Sequence, residues 1–379
     1  MKAALLYGKG DLRIEDIEKP TIGKNEILVR VKSAFICGTD IRMFKNGHKN
    51  VPKDVPLILG HEFSGVIEEV GANVKGYKEG MRVTVAPNMG CGTCKMCISG
   101  NTHLCSDYKA LGISLNGAFA EYVRVPEPAV RQGNVFKIGD NVSFGEAALI
   151  EPLSCVYNGF ERCDIRPGDK VLIIGAGPIG IMHAKLAKMG GASEIFINDL
   201  SDERLDLCRC IDRTFKTISS SDLKEQIMSA TNGDGVDVCI TACSAPEAQR
   251  ISLELMAING RVLFFGGLQS GTIVNLDTNL IHYKQLLVTG TTRSSLRQYK
   301  KTLDIISSGR LNVRDIITSS VTINDFKQAF LQSSKGIGLK TMLTFEPLDR
   351  RAKFQVEAVE QRDKISRPIS LIKEKETPF

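Results

Sequence analysis

No apolar run in these 379 residues approaches the roughly 18–20 positions that a membrane-spanning helix needs. The N-terminus, MKAALLYGKGDLRIEDIEKP, carries charges at Lys2, Lys9, Asp11 and Arg13 and no long apolar stretch, so it does not read as a secretory leader. Membrane insertion and export are therefore not expected, and the chain is assigned to the cytoplasm. A strong charge of one sign is missing too: 49 basic residues face 43 acidic ones, a formal excess of +6. That mild excess suits an enzyme that binds phosphates and equally some nucleic-acid binders, so alone it excludes neither. No internal repeat is visible.

What is present is the composition of a soluble globular chain, 42% hydrophobic and 24% charged, long enough for two domains. Eleven cysteines are unexpected as disulfides in a reducing cytoplasm, which leaves metal binding or burial.

The texture changes along the chain. Up to about residue 152, short alternating runs such as ILVRVKSAF (27–35), GVIEEVG (65–71) and AEYVRVP (120–126) are divided by turn residues. They predict a strand-rich domain with solvated outer faces. From 153 to 289, apolar runs such as KVLIIGAG, EIFIND, GVDVCITAC and RVLFFGG alternate with helix-length segments, among them PIGIMHAKLAKMGG, SDERLDLCRC and APEAQRISLELMAING. Runs apolar at every position, Val171–Ile174 and Val262–Phe265, suit parallel strands covered on both faces, so this part reads as a doubly wound α/β domain. After Gly290 come a helix (SLRQYKKTLDIISSGRL), a short strand, another helix and KTMLTFEP. Residues 347–379 mix charges of both signs without a period and read as a tail or surface extension.

The motif GAGPIG (175–180) lies between an apolar strand and a helix-length segment, with EIFIND following as a second strand. Gly175 permits a tight turn, Gly177 lets backbone approach a pyrophosphate, and Gly180 lets helix pack on strand. Pro178 and Ile179 open the helix, whose N-terminus offers free N–H groups to phosphates. Asp199 ends the second strand, where a carboxylate binds ribose hydroxyls and repels a 2′-phosphate. Leu200 and Ser201 follow it rather than an arginine, which favours NAD over NADP.

Cys91, Cys94, Cys97 and Cys105 follow the spacing C-x2-C-x2-C-x7-C. Four thiolates in one short loop satisfy tetrahedral zinc and leave no open position, so this site is read as structural rather than catalytic. Iron–sulfur loops usually carry other spacings. His103 is read as a surface residue close to the loop. A sparser set, Cys37 in CGTD, His61 and Glu62 in GHEFSG, and Glu151 in IEPLS, supplies one thiolate, one imidazole and carboxylates, a ligand set that suits a catalytic zinc with an open position. Spacing alone does not join residues 37, 61 and 151.

These motifs, with NGAFAEYV (116–123), occur in the order seen in zinc-dependent medium-chain alcohol dehydrogenases, and the chain resembles that family from Met1 to about Glu346. The resemblance implies a GroES-like catalytic domain, residues 1–152 and 290–346, split around a Rossmann domain, residues 153–289. It implies Cys37 and His61 as ligands of a catalytic zinc. Glu151 stands where liver-type members have a second cysteine, as in the polyol and threonine branches. Glu62 matches a carboxylate that either stays behind the metal or replaces water on it. Thr39 falls on the hydroxyl that relays the alcohol's proton, and Asp40 is expected to order the turn. The implied cofactors are NAD and two zinc ions, one catalytic and one structural; the implied partners are a small-molecule alcohol or polyol and further copies of the chain, as a dimer or tetramer.

Three departures bear on the substrate. Arg42 replaces the histidine that continues the relay in the polyol and threonine enzymes, and Met43 replaces an aromatic beside the substrate in sorbitol enzymes. Arg293 matches an arginine of the sorbitol branch and is a candidate cofactor contact, but Ser294 follows it in place of tyrosine. Arg42 and Arg293 could meet the phosphate of a polyol phosphate, or Arg42 the cofactor's pyrophosphate. The alternatives are an L-threonine 3-dehydrogenase, a non-catalytic NAD-binding relative, and a zinc ribbon on nucleic acid. The last leaves GAGPIG unexplained and is set aside with any nucleic-acid partner.

Overall fold

The computed structural model describes residues 1–48, 55–219 and 222–345; the segment 347–379 set apart above lies outside them. One large sheet has seven strands. At its centre Ile27–Phe35 pairs antiparallel with Glu62–Val70, with Tyr122–Val125 and with Lys340–Thr344, which in turn pairs parallel with Ile317–Thr322. Strands from both ends of the chain thus share one sheet. The alternation in ILVRVKSAF predicts a solvated face, yet only Arg30 of this strand is exposed and Lys32 half-buried. The strand's residues enter two cores, Phe35 in one and Ile27, Val29, Val31 and Ala34 in the other, and this packing removes the open face.

The second large sheet is parallel throughout. Its strands are Lys170–Ile174, Glu194–Asp199, Lys216–Ser219, Val236–Thr241, Met256–Phe264 and Leu287–Gly290. Numbered in chain order they lie 3-2-1-4-5-6, the arrangement of a dinucleotide-binding sheet whose crevice opens beyond the strands' carboxyl ends. Val171, Leu172 and Ile173 are fully buried, as a doubly covered strand requires. Phe264 and Phe265 are only half-buried, because they sit at the strand's carboxyl end. The segment APEAQRISLELMAING divides: its helix stops at Glu254, and Met256 already belongs to the next strand.

Two helices join the sheets. Ile150–Cys163 and Leu296–Ser307 contribute to one apolar core and are tied by Gln298, whose side-chain amide donates to Asn158 Oδ1 at 2.9 Å and Glu161 Oε2 at 2.8 Å. Tyr299, fully buried, brings its hydroxyl 2.7 Å from that of Thr84 in the first sheet. Among the described residues no helix is long and apolar enough to cross a membrane.

The GAGPIG turn has the geometry its glycines imply. Gly175 adopts φ +116, and Gly177 caps the helix Pro178–Met189 with proline in its first turn. A Cβ on Gly180 would lie 1.8 Å from the Gly175 carbonyl oxygen, so only glycine permits this approach of helix to turn. Gly180→Ala should therefore cost about 1–3 kcal/mol of stability and weaken NADH binding, read by thermal unfolding and NADH fluorescence. Unchanged values in both would contradict the close approach.

Candidate active site

Cys37 precedes the helix Gly38–Asn46, and its backbone N–H donates to Asp40 Oδ2 at 2.8 Å, which fixes the entry into the helix. Asp40 is fully buried. Its other oxygen lies 3.4 Å from His61 Nδ1 and accepts from the Gly60 N–H, also at 3.4 Å. The aspartate expected to order a turn therefore also orients the imidazole, as carboxylates behind metal-binding histidines do. Gly60 permits this placement. It has φ +93, and a Cβ there would meet the Phe119 ring at 2.6 Å. The carbonyls of Ile58, Leu59 and Gly60 accept from the N–H groups of Gly117, Phe119 and Ala118, so NGAFAEYV braces GHEFSG.

The Sγ of Cys37, a ring nitrogen of His61 and a carboxylate oxygen of Glu62 lie within 4.8 Å of one another. Glu151 falls outside that set but stands beside it, 7% exposed, in the first turn of Ile150–Cys163. Burial pushes Glu151 up to about 7, against the pull of His61. For His61, burial alone would lower the pKa, but Asp40 and Cys37 raise it well above the usual value. One soft donor, one imidazole and a carboxylate gathered in a buried site fit a catalytic divalent cation, zinc above all.

Lys340 was not legible as part of this site. It is 3% exposed, and its ammonium donates to both oxygens of Glu62, at 2.6 and 2.5 Å, and to the Ile36 carbonyl at 3.3 Å. Glu62 is thus held from behind by a full countercharge. Cys155 lies one turn beyond Glu151 with its thiol 3.8 Å from Oε1. Thr39 is half-buried, and its hydroxyl accepts from Arg42 at 3.2 Å. Met43 is 2% exposed and packs in the apolar core around the first sheet.

At the nucleotide turn Asp199 Oδ2 accepts from the Ala176 N–H at 2.7 Å, and Oδ1 accepts from the Ser201 N–H at 3.0 Å. No arginine directly follows Asp199, but helix geometry returns one: Arg204 Nη1 lies 3.8 Å from Asp199 Oδ2, and Nη2 donates to the Gly336 carbonyl at 3.3 Å. A guanidinium therefore stands at the Asp199 carboxylate.

The four-cysteine lobe closes as its spacing implies. Sγ separations are 3.9 Å for Cys91–Cys97, 3.5 Å for Cys94–Cys97 and 3.8 Å for Cys94–Cys105. Backbone N–H groups of Thr93 and Cys94 lower Cys91 to about 6, whereas burial raises Cys97 to about 12. Four thiols in one cage fit a tetrahedral zinc with no open position. His103 is not the surface residue expected: it is 3% exposed and lies outside the thiol set. Arg293 belongs to this neighbourhood. It donates to the His103 carbonyl at 2.6 Å, and its guanidinium stacks 3.7 Å from the Tyr108 ring centre.

Two outcomes follow from this geometry. Cys94→Ser should lose one metal ion per chain and expose the amides of 91–105 to hydrogen exchange; amides still protected without that metal would refute a metal-closed lobe. Lys340→Met should destabilise by about 3–5 kcal/mol, because it leaves Glu62 buried and unpaired. Adding Glu62→Gln should recover much of that loss, and purely additive losses in the denaturant cycle would deny the coupling.

The family model of the alcohol dehydrogenase GroES-like domain matches residues 23–132, and that of the zinc-binding dehydrogenases matches residues 178–308. The chain is 33% identical to the L-threonine 3-dehydrogenase of Pseudoalteromonas atlantica, over 90% of this chain and 99% of that one. It is likewise 33% identical to the sorbitol dehydrogenase of Bacillus subtilis, over 87% and 92%. A zinc-binding dehydrogenase of Sinorhizobium meliloti, solved with NADP, superposes with a TM-score of 0.83 at 28% identity, covering 90% of this chain and 98% of that one. Matched along nearly the whole of these relatives, and carrying both a dinucleotide sheet and two metal-competent clusters, the chain belongs to the zinc-dependent medium-chain alcohol dehydrogenases, in the branch of the sorbitol and threonine enzymes.

Proposed function

We propose that the enzyme oxidises a secondary alcohol of a polyol, free or phosphorylated, and passes the hydride to NAD. The observation that carries this is the convergence of Cys37, His61 and Glu62 within 4.8 Å, with Glu151 alongside. Cys37, His61 and Glu151 would hold the catalytic zinc. Glu62, occupied by Lys340, stands behind them and comes to the metal only by giving up that ion pair. When bound, the zinc acidifies a substrate hydroxyl or polarises a carbonyl.

The protein's own part is to position and to move a proton. Thr39 Oγ1 accepts from Arg42, which leaves its O–H proton to be handed on and its second lone pair to take the proton of the substrate hydroxyl. Arg42 cannot itself lose a proton, so past Thr39 the relay runs to the cofactor ribose and solvent. Gly175, Gly177, Pro178, Ile179 and Gly180 would cradle the pyrophosphate at the helix N-terminus, and Asp199 would take the ribose hydroxyls. Arg204 beside Asp199 offers a partner for a 2′-phosphate, which weakens the case from sequence against NADP. Arg293, engaged with His103 and Tyr108, supports the cysteine lobe before it supports a cofactor.

The L-threonine reading has support from the curated relatives that carry that name. Arg42 stands in place of the relay histidine of both branches and does not choose between the two readings.

NADH formation with polyols, polyol phosphates, L-threonine and simple alcohols, with and without a zinc chelator, separates these readings. Cys37→Ser should abolish turnover by losing one zinc ion while NADH still binds. Intact turnover in that variant would refute the assignment.

A further inference from the structure

The helix Ile150–Cys163 brings a second polar side chain to the candidate active site. Cys155 lies four residues after Glu151, the spacing that places two side chains on one face of a helix. From 150 to 159 every residue of this helix is buried except Cys155, which keeps partial exposure. Its side chain therefore meets an opening and not packed core. The thiol stands 3.8 Å from Glu151 Oε1.

The two carboxylates of the site are held in different ways. Glu62 has both oxygens on the Lys340 ammonium. Glu151 is buried too, but among the described residues the Cys155 thiol is the one hydrogen-bond donor to its carboxylate, and Oε2 accepts from none. Buried carboxylates usually take stronger donors, such as backbone N–H groups or a guanidinium. A thiol is a weak and neutral donor. It can fix the rotation of the carboxylate without neutralising its charge, so Oε2 keeps its capacity as a metal ligand.

Cys155 has support of its own. The Ser294 hydroxyl is a further hydrogen-bond neighbour of the thiol. Ser294 is also bonded to Ser154 at 2.6 Å, and it follows Arg293, which holds the His103 carbonyl of the cysteine lobe. The thiol thus stands between a fixed segment and the carboxylate it touches.

We propose that Cys155 is a positioning residue for Glu151: its S–H holds Oε1 and turns Oε2 toward the metal site shared with Cys37 and His61. This inference rests on the reading of Glu151 as a ligand of the catalytic zinc. Cys155 itself stays off the metal. Partners of this kind orient ligands at metal centres, and their loss weakens metal binding by roughly 10- to 100-fold.

Zinc-loaded enzyme titrated with a chelator, with the zinc retained per chain as the readout, tests the role. Cys155→Ala should release the catalytic zinc at about tenfold lower chelator concentration than the wild type. Cys155→Ser keeps a donor and should stay close to the wild type. Equal retention in all three proteins overturns the proposal, as does equal loss in both variants, which would mark a packing role. Cobalt(II) placed in the reactive site, with zinc left in the cysteine lobe, gives a second readout. In Cys155→Ala the visible ligand-field bands should shift, while the thiolate-to-cobalt charge-transfer band keeps the intensity that Cys37 supplies. A fall of that band in both variants makes Cys155 a ligand and overturns the positioning role. Glu151→Ala separates the two readings. Early zinc loss in Glu151→Ala with none in Cys155→Ala leaves the ligand reading standing and overturns the role of Cys155; normal retention in Glu151→Ala overturns both. Adding Cys155→Ala to Glu151→Ala should weaken retention no further, and an added loss denies that the thiol acts through the carboxylate.

Discussion

The ion pair between Lys340 and Glu62 joins residues 278 apart in sequence, both almost wholly removed from water. A carboxylate buried at that depth is costly unless a cation meets it, and a buried ammonium has the same need. Neither strand can keep its place if the other leaves. The pairing of Lys340–Thr344 with Ile27–Phe35 brings the cation in, and the pairing of Ile27–Phe35 with Glu62–Val70 brings the anion. Cys37 follows the first of these strands and His61 precedes the second. The metal-competent cluster is therefore assembled by sheet register, with one buried pair as its electrostatic closure.

This explains what could be read in advance. Features set by neighbouring residues were legible: the thiol spacing closes a cage, and GAGPIG makes a turn that only glycine at 180 allows. The strand–helix alternation likewise gave the parallel sheet. Residues 37, 61 and 151 carried no mutual signal, because sheet pairing and a helix start bring them together; family resemblance rather than spacing joined them. Lys340 opens a short strand and looks like any solvated lysine there, and only the sheet order shows what covers it. Arg204 had a detectable signal. Ser201 caps the helix Asp202–Ile211, so a residue three positions on folds back toward Asp199. The positions next to Asp199 were the wrong place to look. The burial of His103 was not revealed by the local pattern.

The two candidate metal clusters are not independent of the rest. Arg293 anchors the cysteine lobe through the His103 carbonyl and the Tyr108 ring, and the next residue, Ser294, is bonded to Ser154 behind Glu151. A closed cage that does no chemistry thus fixes the segment against which the reactive site is built. The cage supplies rigidity to a loop with little apolar content of its own.

The helix Ile150–Cys163 sets a further condition on how this protein can change over evolutionary time. Glu151 at its start stands beside the reactive cluster, while Asn158, Glu161 and Arg162 at its other end face a separate cavity. Because the rod between them is stiff, substitutions at the far end can drift without moving the near end.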